Sequence, residues 1–218
     1  MSKNPYVKKI HDYQGLIYPY GSEPEDFKAT SFFQKKEFVV DLGCGAGNHI
    51  VAQAARNPEV AHIGFELRFK RLVLSANKAL RAGLENVRLV QAKVEEIADW
   101  LDPETLNAAY SNFPDPWPKK RHRKHRFLNQ QTFNVVHKLL KKDGFFQLKT
   151  DDSDYFFEVK EMTEESPIFS ISRYTEDLCQ SEFFDPGVMS EFEGLFISKN
   201  MPVYMLRAEK IEKEASIT

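Results

Sequence analysis

A carboxylate, an indole and a run of cations share one short stretch near the middle of this 218-residue chain. Ser111-Asn112-Phe113-Pro114-Asp115-Pro116-Trp117-Pro118 leads directly into Lys119-Lys120-Arg121-His122-Arg123-Lys124-His125-Arg126. Prolines at 114, 116 and 118 fix φ and remove backbone donors, which excludes a helix interior or a central strand. The stretch is therefore a shaped loop with Asp115 at its centre. An acid and an aromatic beside eight consecutive basic side chains suit the extraction of a nucleobase from a polyanion. The net charge of −2 hides this asymmetry: residues 119–126 hold six Lys/Arg and no acid, leaving 24 Lys/Arg against 32 Asp/Glu elsewhere. A basic patch on an acidic body places RNA locally without general stickiness.

A second constellation opens the first helix. Asp41-Leu42-Gly43-Cys44-Gly45-Ala46-Gly47 follows an apolar strand, and its glycines allow a sharp turn and close backbone approach to a ligand. A nicotinamide fingerprint, G-x-G-x-x-G, would need glycine at 48, where Asn48 stands. G-x-G-x-G with an acid two residues ahead resembles instead the S-adenosylmethionine loop of class I methyltransferases, where the acid lies near the methionine amino group and sulfonium. Nineteen residues after Gly47, Glu66 ends the next apolar run, where a carboxylate can accept both ribose hydroxyls. Class I enzymes often carry a further acid after the third strand, at the adenine amino group. Here Lys93 occupies that place, and Gln91, Glu95 or backbone atoms are the alternatives.

These residues need a frame. Apolar runs at 38–41, 62–66, 87–91, 108–112, 144–149, 169–174 and 202–208 read as strands. Helical periodicity falls at 47–56, 69–82, 94–101, 126–141 and 153–165, and this alternation implies a parallel sheet covered on both faces. The last two strands lack a helix between them, so an antiparallel pair at the sheet edge is expected, with residues 179–200 as an inserted loop or short helix. Residues 1–36, polar with three prolines and scattered aromatics, read as an N-terminal arm. Residues 37–210 read as the catalytic domain and 211–218 as a frayed tail. Composition is that of a soluble globular protein. Cys44 and Cys179 lack the spacing of a disulfide framework or zinc site. No apolar stretch reaches membrane-spanning length, so a cytoplasmic protein is expected, monomeric or homodimeric.

The block from Asn112 to His122 closely resembles the signature of the tRNA (guanine-N7-)-methyltransferase family, and the likeness extends from about Phe38 to Tyr204. Lys149-Thr150-Asp151 matches the place of a substrate-binding aspartate. Ser190-Glu191-Phe192-Glu193 resembles the family's Thr-x-Tyr-Glu loop. The resemblance implies an α/β Rossmann-like fold, a three-layer sandwich with seven strands and the last antiparallel. It implies S-adenosylmethionine as cofactor, tRNA as partner, and 7-methylguanosine in the tRNA variable loop (position 46) as product. Asp41, Gly43, Gly45, Gly47, Glu66, Asn112 and Asp115 would form the cofactor side. Lys119, Asp151, Ser190, Glu191, Phe192 and Glu193 would form the substrate side.

Guanine N7 has a free lone pair and no proton, so its methylation needs positioning and charge stabilisation rather than a base. Asp115 is the catalytic candidate, with Asp151 and Glu193 as further carboxylates for the developing cation or the guanine N1–H and N2–H₂. Lys119 suits a phosphate or guanine O6. Lys120, Arg121, Arg123, Lys124 and Arg126 would contact RNA. Trp117 is open to either core packing or base stacking. His122 and His125 add to the basic surface, and no metal is expected. Two rival readings are a methyltransferase acting on another nucleobase and a noncatalytic RNA-binding relative, which Lys93 keeps alive.

Overall fold

Aromatic residues decide the fate of the lead-in that reads as an arm. In the computed structural model, which describes residues 12–212, Tyr13, Tyr18, Phe27 and Phe32 are all buried. A two-residue strand, β1 (Ile17–Tyr18), carries Tyr18, a short helix, α1 (Pro24–Lys28), carries Phe27, and a 3-10 turn over Ser31–Gln34 carries Phe32. Phe27 meets Tyr18 and Trp100 edge-on at centroid distances of 4.8 and 5.6 Å. Residues 12–36 thus pack on the body, because large rings contribute burial that a search for periodicity overlooks. Residues 1–11 and 213–218 lie outside the described part.

The chain then alternates β2 (Glu37–Leu42), α2 (Asn48–Arg56), β3 (Val60–Phe65), α3 (Phe69–Arg81), β4 (Val87–Val90), α4 (Ile97–Trp100) and β5 (Leu106–Asn112). It continues through α5 (Gln130–Leu139), β6 (Leu140–Thr150), α6 (Ser153–Glu164), β7 (Phe169–Thr175), α7 (Glu191–Ser198) and β8 (Tyr204–Lys210). The sheet has eight strands in the order β1-β4-β3-β2-β5-β6-β8-β7, one more than expected, because β1 pairs in parallel with β4. Strands β2 to β6 are parallel, and β8 runs antiparallel between β6 and β7. This is the Rossmann-like arrangement expected, with the antiparallel strand inserted one place in from the edge.

Helix α5 begins later than the periodicity suggests, and the inserted segment after β7 forms the short helix expected as one of its two forms. Helix α5 starts at 130 rather than 126, since the Asn129 side chain caps it by accepting from Thr132 N at 3.1 Å. The 179–200 segment contains α7, opened by a capping box between Ser190 and Glu193. No helix among the described residues is long and apolar enough to cross a membrane. Strand order reverses between β2 and β5, so their carboxyl ends bound the crevice where ligands enter such sheets.

Candidate active site

The turn after β2 is held from three sides. Gly43 N and Cys44 N both donate to Phe65 O at 2.9 Å, tying the turn to the end of β3. Gly47 has φ +80, and a Cβ there would lie 2.1 Å from Ser75 Oγ, so only glycine lets α3 pack this close. Lys78 donates to Ala46 O at 2.8 Å and also to Asn48 Oδ1. Arg71, Ser75 and Lys78 form one stripe of α3 against the turn, at spacings of four and three. That stripe is legible in the sequence but carries meaning only once α3 is known to face the turn.

Asp41 sits at the end of β2 and is 3% exposed. Its Oδ2 is 2.9 Å from His49 Nδ1, while Oδ1 is buried with no hydrogen-bond partner among the described residues. The buried Cys44 thiol is pushed well up, first by desolvation and then by the Asp41 and Glu66 carboxylates. Glu66, half-buried just beyond β3, accepts from Arg68 N at 2.7 Å. All of these groups line one cleft of about 450 Å³. Lys93 and Glu95 line its wall too. Gln91 does not, because its amide is spent on Tyr20 N and Leu67 O, both at 3.1 Å.

The opposite wall is the proline loop after β5. Asn112, Phe113, Pro114, Asp115 and Trp117 all line the cleft. Phe113 and Trp117 adopt φ +54 and +43, left-handed values that non-glycine residues rarely take. Surrounding contacts hold that conformation. Phe113 N donates to Lys149 O at 2.7 Å, and its ring stacks on Phe196 at 5.5 Å. Trp117 packs against His125 and His122 at 5.2 and 5.9 Å yet stays 38% exposed, so it is not a core residue.

The basic run divides. Lys119, Lys120, Arg121 and Lys124 are exposed, the last three on a 3-10 turn over Lys120–His125. Arg123 pairs with Asp154 and Glu158 at 3.4 and 3.6 Å. Arg126 is a correction: it is 2% exposed and cannot contact RNA. Its guanidinium donates to Pro116 O at 2.6 Å and Glu158 at 2.5 Å, and lies 4.5 Å from the Tyr155 ring centre. It staples the proline loop to α6, a role that a count of cations hides.

The 190–193 segment divides as well. Ser190, Glu191 and Phe192 line the cleft, and Arg71 reaches across to Glu191 at 3.0 Å. Glu193 does not reach the cleft. It is fully buried, with both carboxylate oxygens 2.9 Å from Lys149 Nζ, and it accepts from Ser190 N. Asp151 is half-buried just past β6 and outside the cleft lining; desolvation raises its carboxyl. His49, Arg71 and Lys78 are absent from the sequence reading, and His125, read there only as part of the basic surface, lines the cleft.

Comparison with known proteins agrees with this geometry. Residues 35–206 match the family described as putative methyltransferase. The tRNA (guanine-N(7)-)-methyltransferase of Mycoplasma genitalium is 35% identical over 82% of this chain and 87% of its own length. A bifunctional glycosyltransferase/methyltransferase of Fusobacterium nucleatum is 34% identical over 95% of this chain, which spans a third (33%) of that protein. Among solved structures, a 30S ribosomal A1408 methyltransferase from an uncultured bacterium superposes with a TM-score of 0.60 over 83% of this chain and 90% of that one. At 19% identity it supports the fold alone. With a relative of this similarity matched across most of both chains, and a glycine turn facing a proline loop in one cleft, the chain belongs to the tRNA (guanine-N7-)-methyltransferase family.

Proposed function

We propose that the cleft holds S-adenosylmethionine beside the proline loop and that the protein methylates N7 of a guanine in tRNA, at position 46 of the variable loop. The observation that carries this reading is the meeting of the glycine turn and Glu66 with Asp115 and Trp117 in one cleft, next to an exposed basic turn. The donor set suits the cofactor. The unpartnered Oδ1 of Asp41 calls for a cationic donor such as an ammonium. Bare backbone at Gly43, with open space where a Cβ would stand, gives room for the methionine moiety, and the Glu66 carboxylate suits ribose hydroxyls. S-adenosylmethionine, when bound, supplies a methyl group already activated on a sulfonium.

The side chains therefore orient and balance charge. N7 offers a lone pair without a proton, so no residue acts as base. Asp115, exposed on the cleft wall, sets its carboxylate against the cation that methylation creates in the purine. Trp117 and Phe192, 38% and 39% exposed, present ring faces for the base. Asp151, beyond the strand end that bonds Phe113, is the second acceptor for the guanine edge. Glu193 acts from within, fixing Lys149 and the start of α7 so that Ser190 to Phe192 hold the cleft wall. Lys119, Lys120, Arg121 and Lys124 meet phosphates, and Arg123 shares that surface while paired to α6. A tRNA substrate suits a cytoplasmic enzyme.

Incubation with labelled S-adenosylmethionine and unmodified tRNA, followed by cleavage at 7-methylguanine, tests the reading. Label at the variable-loop guanine is expected. Cofactor binding without transfer to any tRNA would refute it.

A further inference from the structure

Asp41 depends on a residue that no motif predicts. Its register neighbours are Gly64 on β3, which has no side chain, and Tyr110 on β5. Neither fixes the carboxylate. His49 does, from the first turn of α2: it is 4% exposed, its Nδ1 lies 2.9 Å from Asp41 Oδ2, and its ring stands edge-on to Tyr110 at 5.0 Å. His49 also lines both the main cleft and a polar cavity of about 170 Å³, whereas Asp41 lines the main cleft alone.

We infer that His49 is a positioning residue for the methyl donor: its Nδ1–H holds one oxygen of Asp41 and so aims the other at the donor's amino group. An aspartate side chain at a strand end keeps a free χ2 unless one oxygen is tied. Tying Oδ2 leaves Oδ1 buried and unpartnered, which costs free energy until a donor arrives and is recovered when a cation binds. Nδ1 carries the proton because its partner is an acceptor-only carboxylate. The Tyr110 ring and the α2 backbone hold the imidazole in that orientation. The inference rests on the reading that Asp41 receives the ammonium of S-adenosylmethionine.

The test compares two probes by calorimetry: S-adenosylmethionine, and 5′-methylthioadenosine, which keeps the nucleoside and sulfur but lacks the amino acid. His49→Phe, which keeps ring bulk without the donor, is expected to weaken S-adenosylmethionine by about 10- to 100-fold, the range for a hydrogen bond to a charged group. Its affinity for 5′-methylthioadenosine should stay within about twofold, a split that a merely structural role would not produce. His49→Asn, whose amide replaces Nδ1, should restore most of the loss. Should His49→Phe fail to fold, His49→Gln, whose donor is displaced by a methylene, gives the same comparison. Equal losses for both probes, or unchanged S-adenosylmethionine affinity in His49→Phe while Asp41→Asn loses it, would overturn the role of His49 and leave that of Asp41 standing. Unchanged affinity in Asp41→Asn would remove the reading beneath the inference, and the inference with it.

Discussion

The two walls of the cleft are built differently. The wall after β2 is clamped: Asp41 and His49 are buried, Gly47 admits α3, and Lys78 ties the turn down. The wall after β5 is open, with Asp115, Trp117 and most of the cations exposed, and it is held by one buried guanidinium and two left-handed residues. A small ligand of constant shape suits a preformed cradle. A macromolecular substrate needs an accessible, charged approach with a rigid tip. The contrast predicts that damage to the first wall removes cofactor binding, while damage to the second spares it.

The largest effect should come from Gly47→Val. The added side chain meets Ser75 and forces a β-branched residue to φ +80, so cofactor affinity should fall by about 4 kcal/mol from overpacking and strain together. Calorimetry with S-adenosylmethionine reads this directly, and retained binding would break the idea of a close-packed cradle.

Next is Arg126→Ala, which strips the staple of the proline loop and leaves Pro116 O without its donor, while Glu158 keeps only Arg123. Stability should drop by about 3 kcal/mol in urea denaturation, from the packing lost against Tyr155 and the unmet Pro116 carbonyl. The salt dependence of tRNA binding should keep its wild-type slope. A shallower slope would return Arg126 to the RNA surface.

Below the cradle, His62 on β3 is buried, and desolvation lowers its pKa to about 4. The unfolded chain binds this proton near pH 6.5 and the folded chain does not, so the unfolded state holds more protons between those values. Stability contributed here is therefore intact above pH 6.5 and is lost as pH falls towards 4, by about 2–3 kcal/mol. Replacing the imidazole in His62→Gln should flatten the denaturation free energy across that window.

On the open wall, Asp115→Asn should lower kcat by about 100-fold, the effect of removing one electrostatic group from the transition state. Its S-adenosylmethionine affinity should remain near wild type. Loss of both would place Asp115 in the cofactor cradle and erase the distinction between the walls. The smallest effect belongs to Lys124→Ala, which should weaken tRNA by about threefold at moderate salt and reduce the salt slope by about one.

Much of the site was legible where function depends on local spacing. The glycine turn, Glu66 and the proline loop are each set by residues near one another in the chain, and all line the cleft. What escaped depends on tertiary burial. Arg126 stands at the end of a basic run like its neighbours, yet it alone of the six Lys/Arg there is buried, because Tyr155 and Glu158 on α6 receive it. Glu193 resembles a binding acid until Lys149, 44 residues away, is found to hold both of its oxygens. His49 reads as an ordinary helical residue until β2 is laid beside it. The fold shows the same division: alternating strands and helices are visible in the pattern, whereas β1 spans two residues and is defined only by its pairing with β4.

The most direct test of the central claim is methyl transfer to two tRNAs that differ in one atom, guanine against 7-deazaguanine at position 46 of the variable loop. Replacing N7 by carbon removes the lone pair and leaves the base edge, the stacking face and the phosphates unchanged. Label on the guanine tRNA, with none on the deaza tRNA despite equal binding, is the predicted result. Equal label on both would contradict the claim, since the accepting atom would then not be N7 of that guanine.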